Sequence, residues 1–273
     1  MSRFLVTTAG IGLMLALVPA ATLAAGSAAH TGHGDHMAHD VHAGHDGHAM
    51  PHAATDHGAA GHMAPARVSL LRIDELETVN GDAGRAVAWD GSVSWGGPFD
   101  RVWLASEGER AQGGEIEQET SLFWSHAVSR WWDTTLGVRQ DREDGERRNW
   151  VAAGVRGLAP YWFETEATAY VGTSGRSMLR LKGEYELLIT NRLILQPQVE
   201  LNVLGHDDEE LRQGRGLSDS EWGLRLRYEV RREIAPYIGL VRQLKHGRTA
   251  DLARAEGDQV GDTTVVAGLR LWY

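Results

Sequence analysis

Histidines crowd a short stretch near the N-terminus in a pattern suited to binding metal ions. Ten of the chain's 13 histidines stand between residues 30 and 62, and the first seven recur at every third position. Neutral imidazole is the commonest side-chain metal ligand, and the methionine thioether is a soft ligand that suits Cu(I). The stretch therefore predicts metal binding by His30, His33, His36, Met37, His39, His42, His45, His48, Met50, His52, His57, His62 and Met63.

The mixture of ligand types favours copper over zinc or nickel. Cu(II) binds tightest among the divalent first-row ions, and methionine adds ligands for Cu(I) that zinc or nickel sites would not need. We therefore expect copper, as Cu(II), Cu(I) or both. Because neighbouring glycines leave the backbone unconstrained, the pattern indicates a pool of ligands rather than one fixed site. A solvating linker is the alternative, but such linkers favour Ser, Pro, Glu and Lys.

The composition divides the chain into three parts. Residues 1–25 read as a secretory signal, with Arg3 ahead of a short apolar run and small residues after it; a membrane-anchoring helix is the alternative. Residues 26–66 form the His/Met-rich tract, which we expect to be disordered without a ligand because it holds little that could build a core. Residues 67–273 carry the aromatic and aliphatic residues of a folded domain.

Strict alternation of apolar and polar residues begins at Val68 and predicts an all-β fold. In SEWGLRLRYEV, for example, Trp222, Leu224 and Leu226 share one face while Arg225 and Arg227 share the other. Twelve such segments are predicted, near 70–79, 85–95, 99–107, 115–128, 131–141, 147–157, 161–172, 176–189, 192–204, 218–230, 235–244 and 262–273.

Long strands, an even strand number and short turns that alternate with longer polar loops are typical of a transmembrane barrel. The chain also ends on an aromatic residue, Tyr273, after an alternating segment. We therefore predict a closed antiparallel β-barrel of about 12 strands in the outer membrane of a Gram-negative bacterium. A soluble β-sandwich is the alternative, but its strands would be shorter. Pro197 lies inside a predicted strand and removes a backbone donor, so we expect a β-bulge there.

If the apolar faces meet lipid, the opposite faces line the lumen. Acidic residues dominate the third to fifth segments, and basic residues gather around the eighth and tenth. This wall could form a cation path or simply fill a narrow barrel with paired charges. The predicted lumen residues are Asp90, Trp103, Glu107, Glu117, Glu119, Asp133, Arg139, Arg156, Glu164, Glu166, Tyr170, Arg180, Lys182, Glu184, Glu186, Glu200, Arg225, Arg227 and Arg270.

The chain resembles the copper resistance protein B family of Gram-negative outer-membrane proteins, which join a Met- and His-rich N-terminal region to a β-barrel. The resemblance rests on the tract and on the blocks LLRIDELE (70–77), VWLASEGE (102–109), APYIGL (235–240), KHG (245–247) and VAGLRLWY (266–273). It implies copper tolerance through copper binding at the outer membrane, with passage of copper in an unspecified direction and a periplasmic multicopper oxidase as partner. Both ends of an even-stranded barrel lie on one side, which places the tract in the periplasm.

Other functions fit less well. The formal charge of −10 argues against a nucleic-acid partner, and the lack of cysteine excludes disulfides and thiolate metal sites. An outer-membrane hydrolase would need a nucleophile beside His126, His206 or His246, and no serine stands at a diagnostic spacing. We therefore expect no enzyme. A passive porin or adhesin with a metal-buffering tail is the third possibility.

Overall fold

The computed structural model describes residues 67–81, 84–112, 116–143, 145–208 and 212–273. These residues form one antiparallel sheet with long strands. The strands are β1 (Val68–Gly81), β2 (Gly84–Gly96), β3 (Asp100–Ala111), β4 (Ile116–Ala127), β5 (Trp132–Glu143), β6 (Glu146–Ala159), β7 (Phe163–Gly172), β8 (Ser177–Glu184), β9 (Leu187–Leu188), β10 (Leu193–Leu204), β11 (Gly216–Tyr228), β12 (Ile234–Lys245) and β13 (Gly261–Trp272).

The sheet closes on itself into a barrel. Each of the long strands pairs with the next along the chain, β10 pairs with both β8 and β11, and β1 pairs with β13. The short β9 continues the line of β8, since both pair with β10, so the barrel wall has twelve positions. The predicted closed antiparallel barrel of 12 strands is confirmed. Closure leaves no sheet edge, as a structure surrounded by lipid requires.

The two faces of the sheet differ in the way expected for a barrel in lipid. On β11, Leu224 on the outer face is 44% exposed, whereas Arg225 on the inner face is 3% exposed. On β4, Leu122 and Trp124 are exposed, whereas Ser121, Phe123 and Ser125 are buried. Charges therefore lie inside and apolar side chains lie outside, which is the reverse of a water-soluble fold.

A charge placed on the outer face should destabilise the barrel according to its depth. We expect Leu136→Arg, within β5, to lower the free energy of unfolding by about 2–4 kcal/mol, because the guanidinium would lie in hydrocarbon. Val128→Arg, in the turn after β4, is the matched control and should cost at most about 1 kcal/mol. Urea titration in lipid vesicles measures both; equal costs would contradict a lipid-facing surface at Leu136.

The two ends of the barrel are built differently. Both chain ends of the domain lie at one end, which we call the terminal end, and every connection there is a short turn. The two long connections, residues 205–215 and 246–260, lie at the other, the loop end, beside four connections that are as short as those turns. The second long connection contains α1 (Gly247–Glu256). Sequence analysis predicted only a loop there; the helix ends at Gly257, whose left-handed φ of 81° lets its N–H bond to the last turn. No helix in the described part of the chain is long and apolar enough to cross a membrane.

The prediction of a β-bulge at Pro197 was wrong. Pairing of β10 with β11 runs through Pro197, opposite Leu224, without a change of register. The irregularity lies instead on the other side of β10, where its pairing with β8 stops after Glu184. Pairing resumes in the same register at Leu187, in β9. A break in the partner strand accommodates the missing donor without rotating the side chains of β10 to the wrong face.

Candidate functional site

The thirteen predicted copper ligands, His30 to Met63, lie outside the described residues, so their role stays a prediction. The described residues build the second candidate, the lumen. A cavity of about 380 Å³ lies within it, lined by nine carboxylates and six cationic side chains. The surplus of acidic side chains makes the cavity better suited to cations than to anions. Eleven of the predicted lumen residues line it: Asp90, Glu107, Arg156, Glu164, Glu166, Lys182, Glu184, Glu200, Arg225, Arg227 and Arg270.

Five further predicted residues lie on the inner face of the wall, beside the cavity. Trp103 stacks on Phe123, and the guanidinium of Arg156 lies 4.7 Å above the Trp103 ring. Tyr170 packs in the same buried aromatic cluster as Phe123 and Trp150. Glu186 accepts hydrogen bonds from Arg227 at 2.6 Å and Arg270 at 3.2 Å. In the strand register Asp133 pairs with Arg156 and Glu117 pairs with Glu109. Because the side chains of paired residues lie on the same face of the sheet, Asp133 lies on the inner face with Arg156.

A layer of ion pairs, here named the loop-side network, consists of Glu119, Arg139, Asp141 and Arg180. Arg180 on β8 donates two hydrogen bonds to Glu119 on β4, at 2.8 and 2.9 Å. Arg139 donates to the same carboxylate and, at 2.9 Å, to Asp141. Because β4 and β8 are four strands apart, these contacts span the lumen. The Trp150 indole N–H anchors Asp141 at 2.8 Å, which fixes the network to the wall.

Lys182 lies next to this network on its terminal side, two residues after Arg180 on β8. Its ammonium group is 2.9 Å from Glu200 on the adjacent β10 and 3.1 Å from Glu107 on β3, across the lumen. Glu200 also accepts Arg180 at 3.0 Å. The acidic residues predicted on the third and fourth strands and the basic residues predicted on the eighth therefore meet as pairs in the barrel centre.

The wall on the β1 side contains lumen residues that sequence analysis missed. A β-bulge between Ile73 and Glu75 shifts the pairing of β1 with β2 by one residue. Before the bulge Arg72 and Asp74 line the lumen; after it Glu75 and Glu77 do so. Simple alternation cannot place both pairs on one face, which is why neither was predicted. The four charged residues fall within the block LLRIDELE, so the bulge gives that block a structural explanation.

Glu75 and Glu77 both form ion pairs with the guanidinium group of Arg225. Arg225 on β11 lies 2.8 Å from Glu75 and 3.1 Å from Glu77, and its side chain is buried. The Tyr237 hydroxyl donates to Glu77 at 2.9 Å. Arg270 on β13 approaches Asp74 at 3.1 Å on the terminal side of this cluster.

Many lumen carboxylates are thus engaged by arginine or lysine. In the described ranges, no group of three or more His, Asp or Glu side chains is arranged to hold a metal ion. The sequence left two interpretations of the lumen open, a cation path or paired charges that fill a narrow barrel. The ion pairs favour the second.

One histidine outside the tract has a serine beside it that sequence spacing did not reveal. Pairing of β11 with β12 brings Ser220 close to His246, and the Ser220 hydroxyl lies 2.7 Å from the His246 Nε2 atom. The Ser220 side chain is buried, and the Trp222 indole also donates to it at 3.2 Å. Within the part of the chain that the structure describes, no carboxylate is hydrogen-bonded to His246. The pair therefore offers neither an accessible nucleophile nor a group to orient the imidazole.

The closed barrel is similar to solved outer-membrane proteins. The NanC porin superposes with a TM-score of 0.50 at 13% sequence identity, covering 74% of this chain and 98% of the porin chain. At this identity the likeness shows the fold alone.

Sequence relatives identify the family. Copper resistance protein B of Escherichia coli is 48% identical over 204 residues, which is 75% of this chain and 69% of that protein. The copper resistance protein B homolog of Pseudomonas syringae pv. tomato is 45% identical over 205 residues, covering 75% and 70% respectively. The family model described as Copper resistance protein B precursor (CopB) matches residues 67–273, the whole barrel. This chain therefore belongs to the copper resistance protein B family of outer-membrane β-barrels.

Proposed function

We propose that the protein confers copper resistance by sequestering copper ions at the outer membrane through its His/Met-rich tract. The observation that carries the proposal is the position of thirteen soft or borderline ligands directly ahead of a barrel whose family is one of copper resistance. The barrel supplies the location, and the tract supplies the ligands.

The orientation of the barrel determines on which side of the outer membrane the tract would bind copper. Chain entry at Val68 and the chain end at Tyr273 share the terminal end, where every connection is a short turn, whereas the two long connections lie at the loop end. Since short turns face the periplasm in outer-membrane barrels, we place the terminal end and the tract in the periplasm. There the tract would intercept copper before it reaches periplasmic proteins. The family resemblance further suggests a periplasmic multicopper oxidase as a partner that acts on the same copper.

Copper bound by the tract should be released on acidification. Imidazole must be unprotonated to bind a metal, and its ordinary pKa is about 6.5, so affinity should fall as the pH drops from about 7 to 5. We expect the purified mature protein to hold several equivalents of Cu(II) at the upper pH and to lose most of them at the lower one. Equilibrium dialysis with elemental analysis measures the stoichiometry.

A variant lacking residues 30–63 is the control for that measurement. It keeps the whole barrel, so it should bind little copper at either pH. Retention of wild-type stoichiometry by the deletion variant would place the copper sites in the barrel and contradict the proposal. Binding that stays unchanged from pH 7 to 5 would exclude imidazole as the main ligand.

A further inference from the structure

We propose that the terminal end of the barrel binds the headgroups of anionic phospholipids through exposed arginines and aromatic side chains. This inference concerns the outer rim of the barrel and does not depend on copper binding by the tract. The arginines lie in three turns and at the start of β1, and we call them the terminal arginines: Arg67, Arg130, Arg192, Arg231 and Arg232.

The terminal arginines carry exposed charge that no carboxylate neutralises. Within the described ranges none of them forms an ion pair, and even Glu233, the neighbour of Arg232 in sequence, does not pair with it. At the loop end, by contrast, three exposed arginines each pair with a carboxylate: Arg212 with Glu256, Arg248 with Asp207 and Arg254 with Asp251. The terminal end therefore offers guanidinium groups that are free to bind an external anion, and phosphate is an anion that arginine binds well.

The turns hold their backbone in fixed shapes and leave these guanidinium groups free. In the turn before β5, the Ser129 hydroxyl accepts hydrogen bonds from the backbone N–H groups two and three residues later, at 3.2 and 3.0 Å. The Thr190 hydroxyl makes the same pair of contacts before β10, at 3.3 and 2.9 Å. The Trp272 indole donates to the Arg232 carbonyl at 2.6 Å and fixes the turn between β11 and β12. Little backbone freedom is lost when an anion binds to such turns.

Aromatic side chains beside the terminal arginines point to a lipid partner. Trp131 follows Arg130, and its ring lies edge-on to that of Trp162 in the next turn at this end, with centroids 5.6 Å apart. The Arg67 guanidinium lies 4.8 Å from the ring centroid of Trp95, an exposed residue of β2. Tryptophan and tyrosine concentrate at membrane–water interfaces, where the ring meets the acyl chains and the polar atom meets the headgroups. Rings next to guanidinium groups therefore suit a headgroup layer that contains phosphate.

The turn that carries Trp162 is strained in a way that favours the same partner. Tyr161 and Trp162 both have left-handed backbone conformations, with φ of 68° and 66°, which bulky residues disfavour. This conformation leaves their side chains 87% and 68% exposed. Exposure of two large rings to water would not offset the strain, whereas a lipid interface would bury them.

The terminal arginines are spread around the barrel rather than gathered on one side. Arg67 leads into β1, Arg130 follows β4, Arg192 precedes β10, and Arg231 and Arg232 follow β11. A surrounding lipid leaflet contacts all of these positions at once, whereas a single protein partner would cover only one arc. The distribution therefore favours a lipid surface over an acidic protein.

Tryptophan fluorescence of the mature protein in vesicles tests the proposal, because brominated lipids quench the tryptophans that they contact. Competition between brominated phosphatidylglycerol and phosphatidylcholine gives their relative affinity. We expect the wild type to prefer phosphatidylglycerol by about fivefold, and the combination of Arg130→Gln, Arg192→Gln and Arg231→Gln to bring the preference close to unity. High salt should weaken the wild-type preference. Inorganic phosphate at equal ionic strength should leave it unchanged; loss of the preference would instead indicate a site for free anions.

Two further variants make the result specific. The combination of Arg212→Gln, Arg248→Gln and Arg254→Gln removes the same charge from the loop end and should keep the wild-type preference. Lysine at Arg130, Arg192 and Arg231 keeps the positive charge and should retain most of the preference.

Three results would overturn the proposal. These are equal affinity of the wild type for both lipids, an undiminished preference in the terminal glutamine variant, and an equal loss in the loop-end variant. If the terminal glutamine variant does not fold, Arg130→Gln alone should give a smaller loss of preference, and no loss would likewise reject the proposal.

Discussion

Replacing the ten histidines of residues 30–62 by asparagine should reduce copper tolerance to the level of a strain that lacks the protein. Asparagine preserves the polarity and approximate size of the tract but removes the imidazole ligands on which Cu(II) binding depends. The barrel should be unaffected, because its residues begin at Val68. Growth in graded copper measures the effect, with outer-membrane abundance of the variant determined in the same cells.

A companion variant separates the two oxidation states. Substituting Leu for Met37, Met50 and Met63 removes the thioether ligands and leaves the histidines in place. If the tract acts mainly on Cu(II), this variant should retain most of the tolerance; if it acts on Cu(I), the methionine variant should lose as much as the histidine variant. Full tolerance in both variants would contradict a role for the tract in copper resistance.

Replacing Glu119 by alanine should be among the most destabilising single changes in the barrel. The substitution removes the closest carboxylate from the buried guanidinium of Arg180, which keeps Glu200 at 3.0 Å and the more distant Glu107 at 3.9 Å, and it leaves Arg139 with Asp141. Removing one partner of a buried ion pair costs about 3–5 kcal/mol, because an uncompensated charge remains buried. Urea unfolding of the refolded barrel in lipid vesicles would report the loss as a shift of the midpoint.

Two controls make this result specific. Asp251→Ala breaks an exposed ion pair with Arg254 in α1 and should change the free energy of unfolding by less than about 1 kcal/mol. Substituting Met at Glu119, Arg139 and Arg180 together with Asn at Asp141 removes all four charges of the loop-side network, and it should cost much less than Glu119→Ala. A Glu119→Ala barrel as stable as the wild type would show that the network contributes no stabilisation.

Most of the strand pattern could be predicted because each strand is long and its two faces meet different solvents. Lipid outside and charge inside impose a period of two, and the pairing of β4 and β5 keeps that period without interruption. Two predictions failed where the regular pattern is broken. At Asp74 a bulge transfers the inward position from even to odd residues, so Glu75 and Glu77 were missed. At Pro197 the predicted bulge is absent because the partner strand breaks instead.

Pairing between distant residues could not be predicted in the same way. Alternation places Glu119, Arg180, Lys182 and Glu107 on the inner face, but it does not say which of them meet. That depends on strand register and on which strands stand opposite in the closed barrel. The contact of Ser220 with His246, 26 residues apart, likewise arises from the register of β11 with β12.

The sequence by itself determined the fold class, the lipid-facing and lumen-facing surfaces and the candidate copper ligands. All three follow from residue type and local spacing, which fix the solvent that each side chain prefers and the metal that each ligand suits. Only the tertiary structure decided which lumen charges pair across the barrel. Closure of the sheet brings together strands that are remote in sequence, and no local pattern records which ones meet.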